Sequence, residues 1–161
     1  MGAGRKNIPY FILLAGLVAA DQATKALIAA RLRLFESLPV IPGLLNLSRV
    51  HNRGAIFGFL NQSPHAWVRA ALIGLSLAAL VLVVVTFFKT PASQKGLRMA
   101  LTLILAGAVG NQIDRLLRGY VIDFIDVHVK SFVWPTFNVA DSCISIGAVL
   151  LLAFVVFRRS S

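Results

Sequence analysis

The chain has 161 residues and carries 6 acidic side chains, and these differ in their company. Asp21 has Lys25, Glu36 has Arg33, Asp114 has Arg118 and Asp126 has Lys130 at the three- or four-residue spacing where helical side chains meet. Asp123, in "VIDF", and Asp141, in "FNVADS", have no cation at those spacings. Such spacings matter on a helix, and the residues around Asp126 are not clearly helical. Two left-over carboxylates in an apolar chain suggest a pair that shares one proton, because both cannot ionise at close range. The ionised member can take a proton from water while the protonated member hydrogen-bonds a carbonyl. Paired aspartates need that division of labour to hydrolyse a peptide bond. An aspartate opening a helix is also an ordinary cap or first-turn residue, and Asp123 alone reads as a loop acid. Both readings stand on these residues.

Other polar groups cluster in short motifs. "GNQIDRLLRG" offers Asn111, Asp114 and Arg115, either as a helix end with snorkelling arginines or as donors to a substrate backbone or lipid phosphate. "HNRGAIFG" offers Asn52 and Gly54 in a turn, where glycine permits a close backbone approach or simply the turn itself. Asp123, Asp126 and His128 have no second histidine at ligand spacing and no HExxH accompanies them, so neither a metal nor another cofactor is expected. Cys143 is the single cysteine, which excludes an intrachain disulfide, and it reads as a buried packing residue. Ala106 with Gly110, and Cys143 with Gly147, are small residues four apart that suit close helix packing.

The elements that must position these groups are membrane spans. The chain is 58% hydrophobic and only 14% charged, with a mean hydropathy of +0.81; a soluble domain needs more charge to cover its surface. The net charge of +10 lies beside apolar segments, where it meets anionic headgroups. No basic run with interleaved aromatics indicates nucleic acid. Apolar runs predict spans over residues 9–29, 68–88, 98–117 and 138–157, an all-α four-transmembrane-helix bundle forming a single domain over 1–161. Residues 31–63, between the first two spans, predict a small extramembrane β-cradle, with strand-like alternation from Leu44 to Phe59. Because consecutive spans alternate direction, Asp21, Asn52, Asp114, Asp123 and Asp141 all fall at one face of the bilayer. With both termini inside, Arg5, Lys6, Lys89, Lys95, Arg98, Arg158 and Arg159 lie in cytoplasmic tails and short loops; a raw count of basic residues does not itself favour that orientation.

"DQATK", "HNRGAIFGF", "GNQIDR", "VIDF" and "FNVADS", in this order from about Ile8 to Phe157, resemble bacterial lipoprotein signal peptidase, the signal peptidase II family. The resemblance implies an aspartic endopeptidase of the bacterial cytoplasmic membrane that cleaves prolipoproteins just before a cysteine bearing diacylglycerol. It carries the catalytic positions to Asp123 and Asp141, and substrate-binding or supporting positions to Asn52, Gly54, Asn111, Arg115, Asn138 and Ala140. Asp21, Lys25 and Asp114 become helix braces. It further implies both termini in the cytoplasm, an active site toward the outer leaflet, a monomer, contact with membrane lipids and binding of globomycin-type inhibitors. Ile56 departs from the small residue frequent at its position in the family, and Asp126 is an additional acid. The competing readings are a small proton-coupled transporter and a structural scaffold. Polar residues gathered in one leaflet, with no internal repeat, argue against the transporter; two unpaired carboxylates argue against the scaffold.

Overall fold

The structure is a computed structural model that describes residues 5–53 and 66–158. Helix α1 spans Ile8–Arg31, with a proline in its first turn, where the missing N–H is no loss. Strands β1 (Ser37–Ile41) and β2 (Leu45–Asn52) follow, then α2 (Ala66–Lys89) and α3 (Lys95–Leu117). Strands β3 (Val121–Val129) and β4 (Phe132–Val133) precede the last helix, α4 (Val139–Arg158). Three of the helices, α1, α3 and α4, are long and apolar enough to cross a membrane, and α2 contributes the apolar stretch Ile73–Lys89.

The sheet departs from expectation in its origin. Its order is β1-β2-β3-β4, antiparallel throughout, so half of its strands come from the connection between α3 and α4. The cradle expected between the first two spans is present as β1 and β2, and β3 and β4 extend it from the second connection. The run "VIDFIDVHV" is rich in β-branched residues, and it is bounded by Gly119 and Lys130, both at positive φ. Gly119 follows the C-cap Arg118 of α3 and turns the chain out of the helix. The part of the expected strand beyond Asn52, with Gly54 and Ile56, lies outside the described residues.

Helix α3 is the central post. On α4, Ala140 and Ile144 meet Gly107, and Gly147 lies against Ile104 and Ala100. The close approach uses Gly107 and Gly147, and Gly110 lies where α3 meets both α1 and α4: a Cβ there would sit 2.6 Å from Asp21 Oδ2 and 3.3 Å from Ala140 Cβ. Ser76 Oγ donates to Gln112 Oε1 at 2.6 Å, a polar tie between α2 and α3. At the opposite end of α3, Arg98 donates to the Thr90 carbonyl and to Asn7 Oδ1, and lies over the Phe87 ring. The face of β3 bearing Ile122 and Phe124 packs on Ile28 and Leu32 of α1. Strand alternation turns Asp123 the other way, toward the start of α4.

Candidate active site

Asn138 immediately precedes α4 and organises that helix start. Its Oδ1 accepts the Asp141 backbone N–H at 2.9 Å, and its own N–H donates to Asp141 Oδ2 at 3.2 Å. This reciprocal pair is a capping box, with aspartate in place of the usual glutamate. The cap reading of Asp141 is therefore part of the structure, and it uses one carboxylate oxygen. The other, Oδ1, accepts from Asn111 Nδ2 at 2.7 Å. Asn138 also reaches the second carboxylate, donating from Nδ2 to Asp123 Oδ1 at 2.7 Å.

Asp123 is held from β2 as well as from the start of α4. Asn52 lies on β2 opposite Val121, diagonal to Asp123, and donates from Nδ2 to Asp123 Oδ2 at 2.9 Å. Burial pushes the Asp123 carboxyl up to about 6; the Asn52 amide opposes that rise and the nearby charge of Asp141 adds to it. The two carboxylates thus feel each other and share Asn138 as a common partner. Asn52, Asn111 and Asn138 all have amide N–H groups directed at these aspartates.

Beneath them lies a buried ionic cluster. Lys25 is fully buried, with Nζ 2.8 Å from Asp21 Oδ2, 3.0 Å from Asp114 Oδ2 and 3.0 Å from Asn111 Oδ1. Asp21 Oδ1 accepts the backbone N–H of Ala140 at 2.9 Å, tying α1 to the first turn of α4. Asp114 accepts from Arg118 and, at 3.3 Å, from the backbone N–H of Ile122, tying α3 to β3. Lys25, with Arg118, thus balances two carboxylates that hold two other elements.

Most of the residues singled out from the sequence come together here: Asp21, Lys25, Asn52, Asn111, Asp114, Asp123, Asn138, Ala140 and Asp141. Arg115 lies half-buried beside Asp114, and Gly54 is outside the described residues. Asp126 belongs elsewhere. Strand alternation puts it on the face opposite Asp123, and its expected Lys130 partner gives way to His128, 2.9 Å away, because a strand brings positions two apart to one face. Burial raises the Asp126 carboxyl, but hydrogen bonds from His128, Asn46 and Ser48 outweigh it and hold it below its usual range. Glu36 accepts the backbone N–H of Arg33.

Gln22 was not anticipated. Its amide donates to Asp21 Oδ2 and the Gly110 carbonyl, both at 3.1 Å, and its oxygen accepts from Arg118. The available signal was its place inside "DQATK", directly after Asp21.

The family model described as Signal peptidase (SPase) II matches residues 13–157. The chain belongs to the signal peptidase II family. The lipoprotein signal peptidase of Geobacter metallireducens is 43% identical over 142 residues, covering 88% of this chain and 86% of that protein. That of Desulforapulum autotrophicum is 44% identical over 144 residues, covering 89% and 88%. A bacterial membrane enzyme solved by the in meso method at 2.3 Å resolution superposes with a TM-score of 0.84 at 32% identity, covering 94% of this chain and 90% of that one. As a signal peptidase II this chain is an aspartic peptidase, and its apolar helices fit a bacterial membrane protein.

Proposed function

We propose that the protein removes signal peptides from diacylglyceryl-modified prolipoproteins, cutting on the N-terminal side of the lipidated cysteine, with Asp123 and Asp141 as the catalytic pair. The observation that carries the assignment is Asn138: one side chain bonds Asp123 and caps the helix turn that holds Asp141. Burial keeps a proton on Asp123 up to about pH 6, and with Asp141 beside it the apparent titrations belong to the pair. The ionised oxygen takes a proton from water as that water attacks the scissile carbonyl. The protonated carboxyl hydrogen-bonds the carbonyl oxygen as it gains charge. Collapse of the tetrahedral adduct returns a proton to the departing amine, which becomes the new N-terminus at the lipidated cysteine. Asn52, Asn111 and Asn138 position the carboxylates, and Asp21, Lys25 and Asp114 brace the helices beneath them. The resemblance assigns Arg115 and Gly54 to substrate binding.

In this reading 1–161 is one peptidase domain and α2 crosses the bilayer with the other three helices. Both termini are cytoplasmic, and the aspartates lie toward the outer leaflet beside the sheet. Supporting this is the gathering of Asp21, Asp114, Asp123 and Asp141 at one end of α1, α3 and α4. The enzyme acts as a monomer among membrane lipids, and globomycin-type inhibitors bind across the pair. The test is cleavage of a diacylglyceryl prolipoprotein by purified protein beside Asp123→Asn and Asp141→Asn, each checked for folding. Loss of at least about 10³-fold in kcat is expected for both; a folded variant with near-parental activity removes that aspartate from the chemistry.

A further inference from the structure

The six carboxylates of the chain are unevenly spread. Asp21 lies in the latter half of α1 and Glu36 beyond it, Asp114 ends α3, Asp123 and Asp126 are on β3, and Asp141 opens α4. All of them belong to the end of the molecule that carries the aspartate pair. The opposite end, where α2 leads into α3 and α4 finishes, holds Lys89, Lys95 and Arg98. Among the described residues no carboxylate pairs with any of these three. Arg98 is only 7% exposed, yet its partners are neutral: the Thr90 carbonyl, Asn7 Oδ1 and the Phe87 ring. Lys95 opens α3, where a cation opposes the helix dipole, and no acidic residue stands in that first turn.

A cavity of about 790 Å³ lies at this cationic end, between the first turn of α3 and the last turns of α4. Ser93 and Lys95 give it polar lining, and Phe154, Val155 and Phe157 form an apolar wall. The Phe154 ring packs against the backbone of Gly96, where a Cβ would come within 2.2 Å of it. Phe157, 73% exposed, continues the wall onto the surface that a membrane-crossing helix presents to lipid. The cavity thus joins a cation to an apolar wall at the end of an apolar helix, the depth where a bilayer changes from acyl chain to headgroup.

We propose that this cavity binds one anionic phospholipid, its phosphate against Lys95 and Ser93 and an acyl chain along Phe154, Val155 and Phe157. Charge selects the occupant. A zwitterionic lipid covers the apolar wall but leaves the cations of this end without a counter-charge. Each lysine close to an anionic lipid surface contributes about fivefold in affinity. A basic peptide segment is repelled by the same charge. In the orientation proposed above the lipid belongs to the cytoplasmic leaflet, and its binding is independent of the chemistry at the other end.

The experiment counts molecules bound to the full-length protein in detergent by native mass spectrometry. The probes are dioleoyl phosphatidylglycerol, dioleoyl phosphatidylcholine and the water-soluble glycerol phosphate, and melting temperature is followed in the same samples. Lys95→Gln removes the cation from the cavity. Lys89→Gln removes an equal charge at the same end from outside the lining. Both lysines are exposed, so the variants without added lipid should melt near the parent. The parent is expected to hold one phosphatidylglycerol about fivefold more tightly than phosphatidylcholine and to melt higher with it. Lys95→Gln brings the two lipids within about twofold, Lys89→Gln keeps the preference, and glycerol phosphate alone changes nothing. Equal or absent binding of the two lipids by the parent would make the cavity an unselective hydrocarbon surface. A preference lost equally in both variants would assign it to the charge of the whole end, and one kept in Lys95→Gln would place the lipid elsewhere. Glycerol phosphate matching the phospholipid would make the occupant a free anion. Each of these results overturns the proposal.

Discussion

Asn138 joins two tasks in one side chain, helix capping through Oδ1 and contact with Asp123 through Nδ2, and substitutions separate them. Asn138→Ala removes both, and thermal unfolding should show a loss of about 1–2 kcal/mol together with a deep loss of cleavage. Asn138→Ser keeps a capping oxygen and lacks the donor to Asp123. It is expected to unfold near the parental temperature while kcat falls and its pH profile moves. Parental kcat in Asn138→Ser would make the asparagine a cap alone. Asp123 carries its own pH signature. With the folded carboxyl near 6 and an ordinary value of 3.8, the folded state holds the proton more tightly than the unfolded one. Stability is therefore constant below the lower value, falls as pH rises from about 4 to 6, and is constant again above it. The fall should amount to roughly 2–3 kcal/mol. Melting temperatures across that window should slope downward for the parent relative to Asp123→Asn; parallel curves would mean the carboxyl is not buried as described.

The elements are positioned by a few close approaches. Gly110 is needed because α1 and α3 meet where Asp21 turns toward Ala140. Gly110→Ala forces a methyl group against the Asp21 carboxylate, whose position is set by Lys25 and by the α4 backbone. The expected cost is about 1–3 kcal/mol in detergent unfolding, with reduced cleavage because α4 moves with Asp21. An unchanged melting temperature would show that α1 yields freely at this point. Strand β3 is the other positioning element. It is anchored at one end by Asp114 through the Ile122 N–H and flanked by β2, so Asp123 approaches α4 from a sheet.

At the scale of the whole molecule, Lys25 ties several parts together. Its ammonium pairs with Asp21 and Asp114, and those carboxylates hold α4 and β3. Lys25→Met leaves buried Asp21 without a cation and Asp114 with Arg118 alone, and breaking such a cluster from one side costs about 3–5 kcal/mol. The variant should accumulate poorly in membranes or melt far below the parent. Lys25→Met combined with Asp21→Asn removes one charge of each sign, leaves the Asp114–Arg118 pair, and should recover part of that loss. Failure of the double variant to improve on the single one would mean that shape, not charge, sets the requirement.

Much of this protein is legible in its residue order. Composition alone demands a membrane environment, since too few charges exist to cover a soluble surface. Long apolar runs mark α1, α3 and α4 because a bilayer requires length and hydropathy, both of which are local properties. The Asp21–Lys25 and Asp114–Arg118 pairs are also local, set by helical spacing. Non-local pairings were not readable. That β2 would choose β3, beyond two intervening helices, depends on where α1 and α3 end in space. The same holds for Lys25 serving Asp114 as well as Asp21, and for the asparagine amides turning to Asp123 and Asp141. Helical spacing would give Asp126 the partner Lys130, whereas the strand gives it His128. Local chemistry is written along the chain, whereas the partner of a buried polar group is chosen by packing, which forms only when distant segments meet.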